Sequence, residues 1–123
     1  MWLTFDWDDV TPDAKEVKLA MKELVNLFGD GYVWYRVSSS GQGLHLVIAK
    51  LAWNSASERV LLSPLEFDDK EIMDYREQFF EEPWNLECLG RLMGDSARKA
   101  SGTTWGRIFA LKNEELSGEW LPC

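Results

Sequence analysis

From Leu3 to Asp8 the chain alternates: Leu3, Phe5 and Trp7 fall on one side, Thr4, Asp6 and Asp8 on the other, with Trp2 at the start. A period of two is the signature of a strand with one buried and one polar face. On a helix Leu3 and Trp7 would share a face but Phe5 would fall nearly opposite, so the pattern fits a strand. The same pattern sends the Asp6 and Asp8 carboxylates out from one side of the strand.

The next segment has the period of a helix. In residues 11–29, Ala14, Val17, Met21, Leu24 and Phe28 recur at three and four. Thr11 is the expected N-cap, Pro12 suits the first helical position, Asp13 complements the dipole and Gly29 marks the stop. Two β-rich runs, 32–39 and 44–51, are then joined by Ser-Gly-Gln-Gly, a connection that favours a hairpin. Residues 56–67 are ambiguous, a short strand broken at Pro64 being one reading. Residues 68–82 read as a helix with Asp68 near its start and Pro83 beyond its end. Residues 84–94 suggest a further short helix, 95–102 a polar, locally basic loop, and 103–111 a last strand.

The order strand, helix, strand, strand, helix, strand predicts an α+β fold: an RRM-like βαββαβ core whose antiparallel sheet carries its helices on one face. In such a split unit the first and third strands lie side by side. Asp6 and Asp8 on the first strand would then share the uncovered face with His45 on the third, the one histidine of the chain.

Composition narrows the classes. The 123 residues fit a single domain, 1–123, and a content of 46% hydrophobic residues with seven Trp and six Phe is enough for a core. A net charge of −8 argues against a surface that coats nucleic acid through phosphate contacts alone. Two cysteines, Cys88 and Cys123, with no CxxC pair and no signal peptide, read as a reduced, intracellular protein without a disulfide framework or structural zinc. No apolar run approaches the roughly 20 residues of a membrane span, so no membrane partner is expected.

Two carboxylates on one strand face repel each other unless a cation lies between them, and Mg2+ or Mn2+ is the usual solution because hard cations take oxygen ligands. The hairpin adds Ser38, Ser39, the backbone around Gly41 and Gly43, and the His45 imidazole. Consecutive amides in a Gly-rich turn form an anion nest, a fit for a triphosphate. Each signal is weak alone. A DxD near a strand end is common, a lone histidine on a strand is more often structural than catalytic, and a Ser-Gly run is most often only a turn. Their order along the chain is what gives the combination weight.

That combination resembles a known family. TFDWD at 4–8, a helix of about 20 residues, YRVSSSGQGLHLVI at 35–48 and WGRIFALKN at 105–113 are similar to the archaeo-eukaryotic primase superfamily. The nearest motif match is the polymerase domain of bacterial DNA-repair ligases, where the middle stretch reads much like TSGGKGLHLVV. The family pattern is an hDhD strand, an SxxxGxH hairpin and a late hD strand on an RRM-like core. The resemblance implies that Asp6 and Asp8 hold the metal and that Asp6, Asp8 and His45 form the catalytic set. It further implies that Ser38, Ser39, Gly41, Gly43, His45 and Arg107 lie around the phosphates of a nucleoside triphosphate, with Mg2+ or Mn2+ as cofactor and a DNA template as partner. A homo-oligomer or a replication partner is a further expectation, as is a place in DNA replication or primer synthesis of a mobile element or virus, in the cytoplasm (the host's, if viral).

One departure stands out. After Gly-Arg-Ile-Phe the family places a third metal-binding aspartate, whereas this chain has Ala110 and Leu111. Glu66, Asp68, Glu87 and Asp95 are the candidate substitutes. Arg36, Arg98 and Lys99 could neutralise phosphate charge, and Trp34, Trp84 and Trp105 read as core rather than base-stacking residues. The alternative to a nucleotidyltransferase is a catalytically inactive nucleotide- or nucleic-acid-binding or assembly module of the same fold. An RRM-type RNA binder is disfavoured because the third strand presents no stacked aromatics over 43–50. A haloacid-dehalogenase-type phosphatase is disfavoured because it needs a doubly wound parallel sheet.

Overall fold

A computed structural model describes residues 1–106, 111–112, 115–116 and 118–123. It is a mixed α+β architecture with an open antiparallel five-strand sheet and three helices, compatible with an RRM-like fold. β1 (Thr4–Asp8), α1 (Lys15–Phe28), β2 (Val33–Val37) and β3 (Gly43–Asn54) come first. β4 (Arg59–Pro64), α2 (Asp69–Phe80) and α3 (Leu89–Ser101) come next, and the chain ends in three two-residue strands, β5 (Leu111–Lys112), β6 (Glu115–Leu116) and β7 (Leu121–Pro122).

β3 is the spine. Its inner half pairs on one side with β1 and on the other with β2, and β2 in turn receives β7 at the far edge. Its outer half, Ala49 to Asn54, pairs with β4, which ends at Pro64. The expected neighbouring of first and third strands is therefore present. β5 and β6 pair only with each other.

The alternation in β1 works as a division of labour. Leu3, Phe5 and Trp7 are fully buried with Leu44, Leu46 and Ile48 of β3, Val17, Ala20, Met21 and Leu24 of α1, and Ile72 and Phe79 of α2. Phe79 meets Phe5 edge-on at 5.4 Å and Trp7 at 6.0 Å. Each such side chain contributes on the order of 1.5–3 kcal/mol through burial, so β1 is held in its register by the aromatic half of its own pattern.

Three local expectations differ from the structure. α1 begins at Lys15, with Ala14 as a cap that makes no side-chain bond. Residues 11–14 close a turn instead, Ala14 N–H donating to the Thr11 carbonyl at 3.2 Å. Residues 95–101, expected as a loop, complete α3, which stops at the left-handed Gly102. Asp95 is drawn inward there by arginine partners, so a polar run continues a helix. Of the expected strand over 103–111, residues 103–106 are not strand and Leu111 opens β5, while residues 107–110, Arg107 among them, lie outside the described residues. β1's outer edge is instead met by the segment before α3: Trp7 bridges to Glu87, and Cys88 N–H donates to the Asp6 carbonyl at 2.9 Å. By contrast Asp68 caps α2 as expected, through a capping box with Glu71. Among the described residues no helix is long and apolar enough to cross a membrane.

Candidate functional site

Register places Asp6 opposite His45 and His45 opposite Arg36, one row across β1, β3 and β2. Directly opposed residues share a face, and this is the face away from the Phe5–Trp7 core. Arg36 Nε donates to His45 Nδ1 at 3.0 Å. With Nδ1 accepting, the neutral ring carries its proton on Nε2, and Nε2 lies 3.9 Å from Asp6 Oδ1. That separation is too long for a hydrogen bond, so the imidazole and the carboxylate stand close without bonding to each other.

His45 is only 6% exposed and Arg36 8%. The row is therefore more enclosed than the uncovered face expected from the strand order. Burial, then the nearby Arg36 and Arg91 charges, hold the His45 imidazole down at about 4, against a smaller opposing pull from Asp8. At neutral pH it is an uncharged donor. The Arg36 guanidinium lies 4.4 Å over the ring of Trp120, a residue the sequence reading did not single out and that no local pattern marks.

Asp8, two residues beyond Asp6 on the same face, is exposed at the end of β1 and opposite Gly43. A Cβ on Gly43 would stand 2.6 Å from the Trp7 carbonyl oxygen, so glycine there permits the approach of β1 to β3. Gly41 serves differently, adopting φ +73° in the turn. The hairpin amides are largely committed within the turn: Gly41 N–H donates to the Ser38 carbonyl at 2.9 Å and Gln42 N–H to Ser40 Oγ at 3.2 Å. Ser38 Oγ pairs with Ser40 Oγ at 3.0 Å. Ser38 and Ser39 are half-buried beside this loop.

Of the four acids considered as a third ligand, three are engaged elsewhere. Glu66 pairs with the N-terminal ammonium at 2.6 Å, Asp68 caps α2, and Asp95 pairs with Arg76 at 2.9 Å and Arg98 at 2.8 Å. Glu87 alone comes to Asp6, but through the backbone, its Oε1 accepting from Asp6 N–H at 3.2 Å. Among the described residues no group of three His, Cys, Asp or Glu side chains is arranged to hold a metal. Asp6 and Asp8 nonetheless suit Mg2+, which keeps several waters and is commonly held by one or two carboxylates plus substrate phosphates.

Along the outer edge of β1 lies a buried charged cluster that sequence reasoning missed. Arg76, with no exposed surface, pairs with Asp95, and Arg91 pairs with Glu87 at 3.3 Å while donating to the Thr4 carbonyl at 3.1 Å and to Thr4 Oγ1. Arg76 Nε and Nη2 and Glu87 Oε2 are buried without hydrogen-bond partners among the described residues. Burial outweighs the attraction of Arg91 and Arg76 and pushes the Glu87 carboxyl up to about 7. The signal was present: Arg76 falls on the Ile72–Phe79 face of α2, and Glu87, Arg91 and Asp95 are spaced by four.

Arg98 lies on the last turn of α3 with Lys99, not in a loop. Trp34 is fixed by its Nε1–H to the carbonyls of Gly31 and Ala49, both at 3.2 Å. Trp84 packs on Phe79 at 5.5 Å, and Trp105 belongs to the core. Compared with known proteins, the chain matches no family model, no curated protein and no solved structure.

Proposed function

We propose that this chain is a primase-polymerase-type nucleotidyltransferase core that binds a nucleoside triphosphate with Mg2+ or Mn2+ and works on a DNA template. One observation carries the reading: Asp6 and His45 are direct cross-strand partners, 3.9 Å apart at their side chains, with Asp8 beyond them on the same face. Asp6 and Asp8 would hold the cation. The neutral His45, kept in one tautomer by Arg36, would donate its Nε2–H to a phosphate oxygen, and the Ser38 and Ser39 hydroxyls stand beside the same strand end. A bound cation would supply charge stabilisation for the attacking and leaving oxygens.

The test is nucleotide binding with and without Mn2+, followed by primer extension on a DNA template. Metal-dependent binding and templated incorporation are expected, both lost in Asp6→Asn. Metal-independent binding that Asp6→Asn leaves unchanged contradicts the reading. Ala110 and Leu111, standing where the family places a third aspartate, favour a second reading, the same fold as a catalytically inactive nucleotide- or nucleic-acid-binding or assembly module. Metal-dependent binding without incorporation would select it.

A further inference from the structure

Along the same face of the sheet, past Thr4, lies a cleft of about 560 Å³ walled by Trp2, Thr4, Arg36, Leu62, Trp105 and Trp120. Val47, from the outer end of the β1–β3 pairing, also borders it. Two of its polar side chains are already engaged. The Thr4 hydroxyl donates to the Gly106 carbonyl at 3.0 Å and accepts from Arg91, while Arg36 is bonded to His45 and stacked on Trp120. Most of the rest of the wall is indole and aliphatic surface, with Trp2 53% exposed at the rim. Such a lining suits a flat ring, which indole faces can stack upon.

Position then connects cleft and acids. Thr4 and Asp6 share one strand face, and at about 3.3 Å per residue the cleft wall stands ~7 Å from Asp6 and ~13 Å from Asp8. Those separations match the extent of a nucleotide laid along the strand, ring at one end and terminal phosphates at the other. We propose that the Trp2–Trp105–Trp120 cleft is a base subsite, holding the nucleobase of a nucleotide by stacking while its phosphates lie at Asp6 and Asp8. The phosphate half rests on the function proposed above; the ring half rests on the cleft alone. Because stacking uses the π-face that every base has, the subsite discriminates little among the four bases.

The experiment titrates the full chain by calorimetry with three probes: adenosine without metal, inorganic tripolyphosphate with Mn2+, and ATP with Mn2+. Trp2→Ala removes an exposed ring, and Leu62→Trp, on edge strand β4, fills the cleft from a half-buried position; a thermal melt confirms that each variant folds. Saturable adenosine binding to the unmodified chain is expected. Both variants should weaken adenosine and ATP by about tenfold or more, the loss of roughly one base-stacking contact, and leave tripolyphosphate within about twofold. No saturable adenosine binding, or adenosine or ATP affinity unchanged in both variants, overturns the base subsite. Failure of the phosphate reading appears separately, as tripolyphosphate binding that is absent or insensitive to Asp6→Asn while adenosine still binds.

Discussion

Arg36 and His45 face each other across one register pair of the sheet, and the guanidinium donates to the imidazole at 3.0 Å. The bond assigns the tautomer, so a side chain on one strand determines what the ring on the next can offer to a ligand. It also places a permanent cation beside a buried ring, which is one reason that ring stays neutral. The surroundings of Asp6 therefore depend on β2 as well as on β1 and β3.

His45 and Glu87 pull the pH dependence of stability in opposite directions. His45 is lowered from 6.5 to about 4, so its contribution is present above 6.5 and lost as the pH falls through about 4. Glu87 is raised from 4.5 to about 7, so its contribution is present below 4.5 and lost as the pH rises through about 7. Each is on the order of 3 kcal/mol, and between 4.5 and 6.5 they oppose each other. Glu87→Gln should unmask stability that rises with pH across this window, and His45→Gln stability that falls. Urea unfolding at stepped pH measures the slopes; identical slopes in all three proteins contradict the assignment.

Arg36→Lys keeps the charge but loses the planar fork and the Nε donor. Leaving His45 Nδ1 without its partner and weakening the stack on Trp120 should cost about 2 kcal/mol. A double-mutant cycle with Trp120→Ala should show coupling of about 1 kcal/mol between the two residues. Additive losses would mean the stack contributes nothing.

The two glycines of the hairpin should respond unequally to alanine. Gly43→Ala drives a methyl against the Trp7 carbonyl, and separating β1 from β3 should cost about 1–3 kcal/mol. Gly41→Ala meets no described atom within 4 Å and has only its left-handed backbone to disfavour it, a cost of about 1 kcal/mol. Denaturant midpoints rank them, and hydrogen exchange along β1 should accelerate in Gly43→Ala alone.

Cation binding at Asp6 and Asp8 should register as stability. Mn2+ at about 100 times its dissociation constant should stabilise the chain by ~2.7 kcal/mol. Asp6→Asn and Asp8→Asn should each abolish most of that gain. Equal Mn2+ responses in all three proteins would place the ion elsewhere.

Local pattern was enough for much of the frame. The alternation from Leu3 to Asp8 implied a two-faced strand, and 32–51 implied the hairpin that seats His45 between Asp6 and Arg36. It was misleading at Thr11, where favourable capping chemistry closes a turn instead of starting the helix, because hydrogen bonds along the chain have more than one way to be satisfied. It was misleading again at 95–101, where polarity suggested a loop but Asp95 turns inward to Arg76 and Arg98 and the helix continues.

The side of β1 on which Asp6 and Asp8 emerge is set by residue spacing alone, because strand geometry leaves successive side chains no other choice. Long-range packing settled the rest: the neutrality of His45, the placing of Trp120 over Arg36, and the burial of Arg76 with Glu87 and Asp95. These depend on how much water is removed around a group and on which distant charges are brought to it. Neither quantity exists until the chain has folded.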